Sequence, residues 1–331
     1  MFIVMKRFLK LILPFFVILS LASCSKESDT NPGQQSSDTY TTVSFNLFGQ
    51  ELSTSESPLT LTKGTDPKDW YAFQVYSKKA GSDEGYGYYA YGFFDNKEDM
   101  IINLKDGYEY KFDVCMFPEG STKIYNFCLV NSGWAPVDNK FMISSSETVR
   151  YMYKGYLYMK YPTWDTYDRP MVDRFMGKKE GYTPQKDGVV NIDMKRVAFA
   201  AKFVPSNFTS GKLEISVEGS GIISMAAGVD TEWQEMISFN WPGNAYDSMI
   251  AGQEYSESIP VNIVWIKDDG VRTPIANQNV SFKRNVLTTI NFEVKESASS
   301  SSFSFTANEK LETGSTVTIG GDGTNTGVDP N

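Results

Sequence analysis

The residue types that this chain lacks narrow its chemistry before any motif is considered. None of its 331 residues is histidine, so Ser-His-Asp and Cys-His catalysis, most zinc sites and a histidine pH switch are excluded. Carboxylate chemistry, a lysine base or an oxygen-ligand calcium site remains open. The acidic pairs lie in turn-like, polar surroundings without EF-hand spacing, which favours solvated loops. These pairs are Asp83-Glu84, Glu98-Asp99 and Asp268-Asp269. We therefore predict no catalytic residue, no metal site and no cofactor.

Two of the three cysteines, Cys115 and Cys128, flank the hairpin-like segment DVCMFPEGSTKIYNFCLV. If they oppose each other on neighbouring strands, their flanking residues form one coherent apolar face. A disulfide across the two strands is then compatible with an oxidising compartment. The alternative is a pair of buried thiols, because cross-strand disulfide geometry is strained. The sequence leaves both open.

The third cysteine, Cys24, stands where an apolar run gives way to a polar one. A basic edge precedes residues 11–21, which are nearly all apolar, and small residues come directly before Cys24. The run is short of the roughly 20 apolar residues that span a bilayer, so an export signal is favoured over a transmembrane anchor. The segment Leu21-Ala22-Ser23-Cys24 resembles the bacterial lipobox. This resemblance implies removal of residues 1–23 and lipidation of Cys24 with acyl chains such as palmitate, the alternative being a signal peptide with an incidental cysteine.

The charge balance of the chain is acidic. Without residues 1–23, 28 basic residues face 40 acidic ones. An acidic chain repels phosphate backbones, so nucleic acid is not an expected partner.

Short alternating segments rich in Tyr, Phe, Val and Ile, separated by turn residues, begin at Tyr40 and recur along the chain. This sequence pattern predicts an all-β fold of antiparallel β-sandwiches. The aromatic-rich first half gives way to a Val/Ile/Ser-rich second half, which places a domain boundary near residue 190, within ten residues. The predicted organisation is a signal peptide (1–23), a polar tether (24–39), two sandwich domains (40–190 and 191–296), and a Ser-rich hinge with a strand-like tail (297–331).

Three finer predictions concern individual elements. Residues 170–178 and 231–236 are the only segments that we interpret as helical. The second half is expected to close with a three-strand meander formed by PVNIVWIK, TPIANQNVSF and NVLTTINFEV. The strand-like tail has no evident sheet of its own to complete, so we expect it to pair with the sheet edge of another chain.

The tyrosine-rich stretches allow a different function. Residues 70–76, 86–94 and 151–164 could present aromatic platforms to sugar rings, although such stretches more often form sheet faces and core. A monomeric glycan-binding or adhesive surface lipoprotein is therefore the alternative hypothesis.

Several motifs together resemble the fimbrillin (type V pilin) family of Bacteroidetes surface lipoproteins. They are the lipobox and tether, the first strand TVSFNL, and the segments DRFMGKKEGYT, MKRVAFAAKFV and KRNVLTTINFEV. The resemblance implies two tandem transthyretin-like domains, no catalysis, export to the outer membrane and cell surface, and assembly with other fimbrial subunits by donor-strand exchange.

In that family an arginine-specific protease removes the first strand, and the C-terminal segment of a neighbouring subunit fills the groove. Mapped here, the removable strand is residues 41–48, with or without 59–61. The donor lies within residues 301–320, with Thr316, Val317, Thr318 and Ile319 as the favoured residues. No arginine occurs between Cys24 and Arg150, so Lys63 becomes the candidate cleavage site. If Lys63 is not cut, an anchor role is favoured over a polymerising one, and shaft, tip and anchor all stay open.

The triplet Asp247-Ser248-Met249 resembles the Bacteroidetes O-glycosylation sequon, which makes Ser248 a candidate for modification. The sequence thus predicts a structural, accessory or anchor component of a surface fimbrium that supports adhesion.

Overall fold

The structure is a computed structural model that describes residues 38–49, 67–129, 133–135, 137–145, 157–159, 166–295, 303–307 and 317–319. Side chains are described for residues 38–49, 67–124, 137–145 and 167–295. All elements below belong to the unit that begins at Thr39. None of the helices in the described part of the chain combines the length and apolarity needed to cross a membrane.

The first half of the chain forms two facing sheets. A three-stranded sheet has the order β12-β1-β4, and a six-stranded sheet has the order β13-β11-β5-β2-β3-β8. Their strands are β1 (Tyr40–Phe48), β2 (Trp70–Lys79), β3 (Gly87–Phe94), β4 (Ile101–Lys105), β5 (Tyr108–Phe117), β8 (Lys140–Ile143), β11 (Phe175–Tyr182), β12 (Gly188–Asp193) and β13 (Lys195–Arg196).

The six-stranded sheet is buried on both faces, as its central strand β2 illustrates. Alternate residues Tyr71, Phe73 and Val75 pack into the core shared with the three-stranded sheet. Trp70 and Ala72 point the other way, into the core shared with the second half of the chain. A strand covered on both sides reads as a continuous apolar run, which explains the composition of WYAFQVY.

The second half forms a second sandwich from a five-stranded sheet, β17-β14-β20-β21-β22, and a four-stranded sheet, β16-β15-β18-β19. The strands of the two sheets are β14 (Ala198–Ser206), β15 (Lys212–Val217), β16 (Ile222–Ala226), β17 (Trp233–Ser238), β18 (Ser256–Ile266), β19 (Arg272–Lys283), β20 (Leu287–Glu293), β21 (Phe303–Ala307) and β22 (Val317–Ile319). The expectation of an all-β sandwich fold is confirmed.

A small sheet and short helices complete the described elements. The order β10-β9-β6-β7 joins β6 (Ile124–Leu129), β7 (Gly133–Ala135), β9 (Leu157–Met159) and β10 (Thr166–Tyr167). The helices are a 3-10 turn at Lys97–Asp99, α1 (Gly120–Lys123) and α2 (Pro242–Ile250).

Both helical predictions are wrong. Residues 170–178 contain bends and the start of β11, and residues 231–236 fall largely in β17. The nine-residue helix is α2 instead, which begins with a proline at its first turn, where the missing N–H costs nothing. Its short, mixed sequence PGNAYDSMI carries little helical periodicity, so packing rather than pattern decides its structure.

The predicted meander is also wrong, because only two of its three strands are neighbours. β18 and β19 form an antiparallel hairpin, whereas β20 crosses to the opposite sheet and pairs in parallel with β14. The segment VVNIDMKRVAFAAKFV likewise divides into β12, β13 and β14, which belong to three different sheets. The chain passes from the first sandwich to the second between Arg196 and Ala198. The division into domains at residue 190 stays a prediction.

Candidate functional site

The feature that stands out for function is β1, which is the central strand of its sheet. It pairs in parallel with β12 from Val43 to Phe48 and antiparallel with β4 from Tyr40 to Ser44. Both of its edges are therefore used. Removal of β1 would leave two strands with unpaired backbone N–H and C=O groups on facing edges of a strand-wide gap.

The inner face of β1 fills the core of the first sandwich. Val43 is 1% exposed. The Phe45 ring lies 4.8 Å from Phe73, 5.1 Å from Phe112 and 5.7 Å from Phe141, measured between ring centroids. Edge and tilted contacts of this kind stabilise beyond the burial of area alone. Loss of β1 would therefore expose apolar core together with the unpaired edges.

The outer face of β1 is held by polar side chains. The Thr42 hydroxyl donates to Asn103 Oδ1 at 2.7 Å, and Asn46 Nδ2 donates to Asn191 Oδ1 at 2.9 Å. At the start of the strand, on the same side as Val43, Thr41 Oγ1 donates to Asp106 Oδ1 at 2.7 Å. Hydrogen bonds from Thr41 and Thr39 hold the pKa of the Asp106 carboxyl below its usual range. The alternation TTVSFNLF thus produces an apolar face inside and a hydrogen-bonded face outside.

The C-terminal strands lie on a sheet of their own chain, contrary to the expectation that they have none to complete. β21 pairs antiparallel with β20 from Phe303 to Ala307, and β22 pairs with β21 from Val317 to Ile319. The candidate donor residues Val317, Thr318 and Ile319 are therefore in the edge strand of the five-stranded sheet. Thr316 lies outside the described residues.

The predicted register between Cys115 and Cys128 is not formed. Cys115 in β5 lies opposite Ala72 of β2 and Met176 of β11, so both edges of β5 are occupied. Cys128 in β6 lies opposite Trp134 in a different sheet. Cys115 carries a buried thiol, which is the second of the two alternatives that the sequence leaves open, and the cross-strand disulfide is not formed in this structure. Burial raises the pKa of this thiol to about 12.

Other predicted residues are distributed without forming a catalytic arrangement. Cys24 and Lys63 lie outside the described residues. Ser248 is half-buried on α2, where the neighbouring Asp247 carboxylate binds Lys178 of β11. Modification of Ser248 stays a prediction.

The acidic pairs are exposed and shape turns. Asp268 Oδ1 accepts a hydrogen bond from the Gly211 N–H at 3.0 Å, and Asp269 Oδ1 accepts one from the Val271 N–H at 2.9 Å. Across the described ranges, no cluster of three or more Cys, Asp or Glu residues is placed to hold a metal ion.

A buried ionic junction is the feature that sequence reasoning missed. Arg196 Nε donates to both oxygens of Asp173, at 3.0 and 3.1 Å, and Arg196 Nη1 donates to Asn285 Oδ1 at 2.7 Å. Burial raises the pKa of the Asp173 carboxyl, and the Arg196 guanidinium opposes that shift. The junction connects β13 of the first sandwich with the turn before β20 in the second. In the sequence, this junction is indicated by charged residues within the otherwise apolar segments DRFMG and MKRVAF.

No family model and no curated protein sequence matches the chain. Solved structures with a similar fold include a candidate polysaccharide-binding protein of Bacteroides thetaiotaomicron, with 10% identity, a TM-score of 0.40, and coverage of 81% of this chain and 95% of that one. A fimbrial assembly protein of Parabacteroides distasonis has 11% identity and a TM-score of 0.34 (85% and 99% covered). The fimbrial anchor protein Mfa2 of Porphyromonas gingivalis has 9% identity and a TM-score of 0.36 (84% and 100% covered).

Fimbrial proteins of Bacteroidetes, the group that the sequence resembles, are thus among the structural neighbours of this chain.

Proposed function

We propose that this protein is a component of a bacterial surface fimbrium, either a structural subunit or an accessory or anchor component. In this proposal, lipid on Cys24 holds the chain at the outer membrane and on the cell surface. The chain associates with other fimbrial subunits by donor-strand exchange, supports adhesion, and has no catalytic activity.

The observation that carries the proposal is the position of β1. It follows the predicted tether and is paired on both sides, and its aromatic side chain Phe45 is part of the core. A strand in this position is replaceable by another strand, since a donor would satisfy the same backbone groups and refill the same apolar space. Loss of an edge strand would expose only one neighbouring strand, so no comparable groove between two strands would form.

The state of the N-terminus tests the proposal and separates its two forms. We expect protein isolated from its native cell surface to begin either at Gly64, after cleavage at Lys63, or at a lipidated Cys24. The first result identifies a polymerising subunit and the second an anchor or accessory component. A mature chain that begins elsewhere and carries no lipid would contradict the proposal.

Substitution of Lys63 tests proteolytic cleavage at this residue, and substitution of a second lysine is the control. If cleavage occurs at Lys63, Lys63→Gln should retain β1 and abolish acceptance of a donor strand. Lys79→Gln, which changes an exposed lysine at the end of β2, should behave as wild type in the same polymerisation assay.

A disulfide lock tests the donor side. Asn291 in β20 lies opposite Ser304 in β21, so Asn291→Cys with Ser304→Cys should crosslink on oxidation and hold the C-terminal strands on their own sheet. We expect the locked protein to lose donor activity and dithiothreitol to restore it. The out-of-register pair Asn291→Cys with Thr306→Cys is the control. Normal donation by the locked form would show that β21 does not have to leave its own sheet for donation.

A further inference from the structure

A cleft lies beside the N-terminal end of β1, where the first sandwich is not closed by strand pairing. It has a volume of about 470 Å³ and is lined by Tyr40, Tyr89, Asn103 and Ile143. These residues come from β1, β3, β4 and β8. β4 is the edge strand of the three-stranded sheet and β8 the edge strand of the six-stranded sheet. The cleft is more open than enclosed, so a ligand in it would stay partly exposed to solvent.

One wall of the cleft is rigid. The Tyr89 ring packs edge-on against Tyr110, with ring centroids 5.2 Å apart. Its hydroxyl donates to the backbone carbonyl of Asn103 at 3.1 Å, while the Tyr110 hydroxyl donates to the Lys105 carbonyl at 3.0 Å. Tyr89 is therefore fixed without any ligand, and its hydroxyl oxygen, which also interacts with the Tyr110 hydroxyl, has a second lone pair for an incoming donor. Burial, with the nearby Tyr40 hydroxyl as a smaller contribution, raises the pKa of Tyr89 and keeps this hydroxyl protonated.

The remaining lining offers apolar area and a directed donor. Tyr40 is 56% exposed and Ile143 is 69% exposed, so both present apolar surface to solvent. Asn103 Oδ1 already accepts the Thr42 hydroxyl at 2.7 Å. This bond orients the side-chain amide and leaves its NH₂ group as the donor for a ligand.

We propose that this cleft binds a neutral hexose unit of a glycan. The carbon–hydrogen face of a sugar ring packs on aromatic and aliphatic surface, which Tyr40 and Ile143 supply, and its hydroxyls pair with a phenol and an amide, which Tyr89 and Asn103 supply. The four described lining residues are uncharged and match a neutral ring. Lys105 lies opposite Tyr40 and acts electrostatically on Tyr89, so an anionic sugar is the comparison that tests this preference.

The site depends on β1 and not on fimbrial assembly. Tyr40 begins β1, so the cleft is complete only while that strand is in place. Failure to bind sugar would leave the fimbrial proposal untouched, and failure to assemble would leave this one untouched.

The test is saturation-transfer NMR on the chain from residue 25 onward, with the methyl glycosides of glucose, galactose and mannose as probes and galacturonic acid as the anionic comparison. We expect at least one neutral glycoside to bind and galacturonic acid not to compete. Tyr40→Ala should weaken binding at least about fivefold, the size of one aromatic contact. Tyr89→Phe, which keeps the ring packing, should also weaken it.

Tyr88→Ala is the matched control, because Tyr88 is an exposed tyrosine on the same strand as Tyr89 and pairs with Tyr76 instead, at 5.3 Å. We expect this variant to bind as wild type. Absence of binding to every neutral glycoside, or loss of binding in Tyr88→Ala but not in Tyr40→Ala, would overturn the proposal. So would Tyr40-dependent binding of an extended peptide in place of sugar, which would identify the cleft as a strand-addition site.

Discussion

At the scale of single residues, Cys115 shows how sheet pairing overrides a local pattern. The segment between Cys115 and Cys128 has the alternation and turn residues of a hairpin, yet β5 is already paired with β2 on one edge and β11 on the other. The following strand therefore joins another sheet, and Cys115 remains a thiol inside apolar core.

The thiol of Cys115 should resist alkylation in the folded protein. Burial raises its pKa to about 12 from an ordinary value of 9.0, so at pH 8 we expect iodoacetamide to label Cys115 only after denaturation, without any reductant. Peptide mapping by mass spectrometry measures this. Labelling that requires a reductant would reveal a disulfide instead.

The same shift predicts a dependence of stability on alkaline pH. The unfolded state loses the thiol proton more readily than the folded state, so the free energy of unfolding contributed by Cys115 is fully present below pH 9 and is lost as the pH rises towards 12. A Cys115→Ala variant should lack this component of the pH profile, which places the effect at one residue.

At the scale of elements, β1 and the C-terminal strands differ in how they are attached. β1 has neighbours on both edges and side chains in the core. β22 has a neighbour on one edge alone among the described strands, and β21 joins it to β20. An edge hairpin can be displaced by breaking one ladder, whereas extraction of a central strand breaks two ladders and opens the core.

Phe45 should contribute most of the stabilisation that the inner face of β1 provides beyond Val43. We expect Phe45→Ala to lower the free energy of unfolding by about 3 kcal/mol, the lower end for phenylalanine because the ring is only half-buried. Urea denaturation of the chain from residue 25 onward measures this loss.

Phe48→Ala is the control, since Phe48 is in the same strand and 47% exposed. Its effect should stay within about 0.5 kcal/mol. Equal losses for the two variants would mean that β1 does not occupy the core as described.

At the scale of the whole unit, the two sandwiches share a continuous core. One apolar cluster contains Trp70 and Phe117 of the first sandwich together with Phe199 and Val217 of the second. The Arg196–Asp173 pair lies beside this shared core, and Arg284 Nη1 donates to the Arg196 carbonyl at 2.8 Å from the second sandwich. The two halves should therefore unfold in one cooperative transition.

Arg196→Met should lower the free energy of unfolding by about 3–5 kcal/mol, because it leaves the buried Asp173 carboxylate without its charged partner. The double variant Asp173→Asn with Arg196→Met should recover most of the loss, since no uncompensated charge remains. Differential scanning calorimetry measures both. Two separate transitions in the wild-type protein, or no recovery in the double variant, would contradict the shared junction.

The sequence by itself determined the all-β class and the inner and outer faces of strands such as β1, because a period of two in hydrophobicity is a local property of the chain. It also indicated exposed turns at the acidic pairs. It did not determine which strands are neighbours: β18, β19 and β20 have similar alternation, yet the third lies in the opposite sheet.

Only the tertiary structure decided the parallel pairing of β1 with β12, the helix α2, the Arg196–Asp173 junction, and the cleft between β4 and β8. The pairing, the junction and the cleft join residues that are far apart in the chain, and α2 has too little helical periodicity to be recognised from its own sequence. The free energy that selects them comes from packing rather than from local propensity. A strand with one apolar face fits any sheet that faces a core. The hydrophobic pattern therefore determines which face of the strand is buried, and packing determines which strand it pairs with.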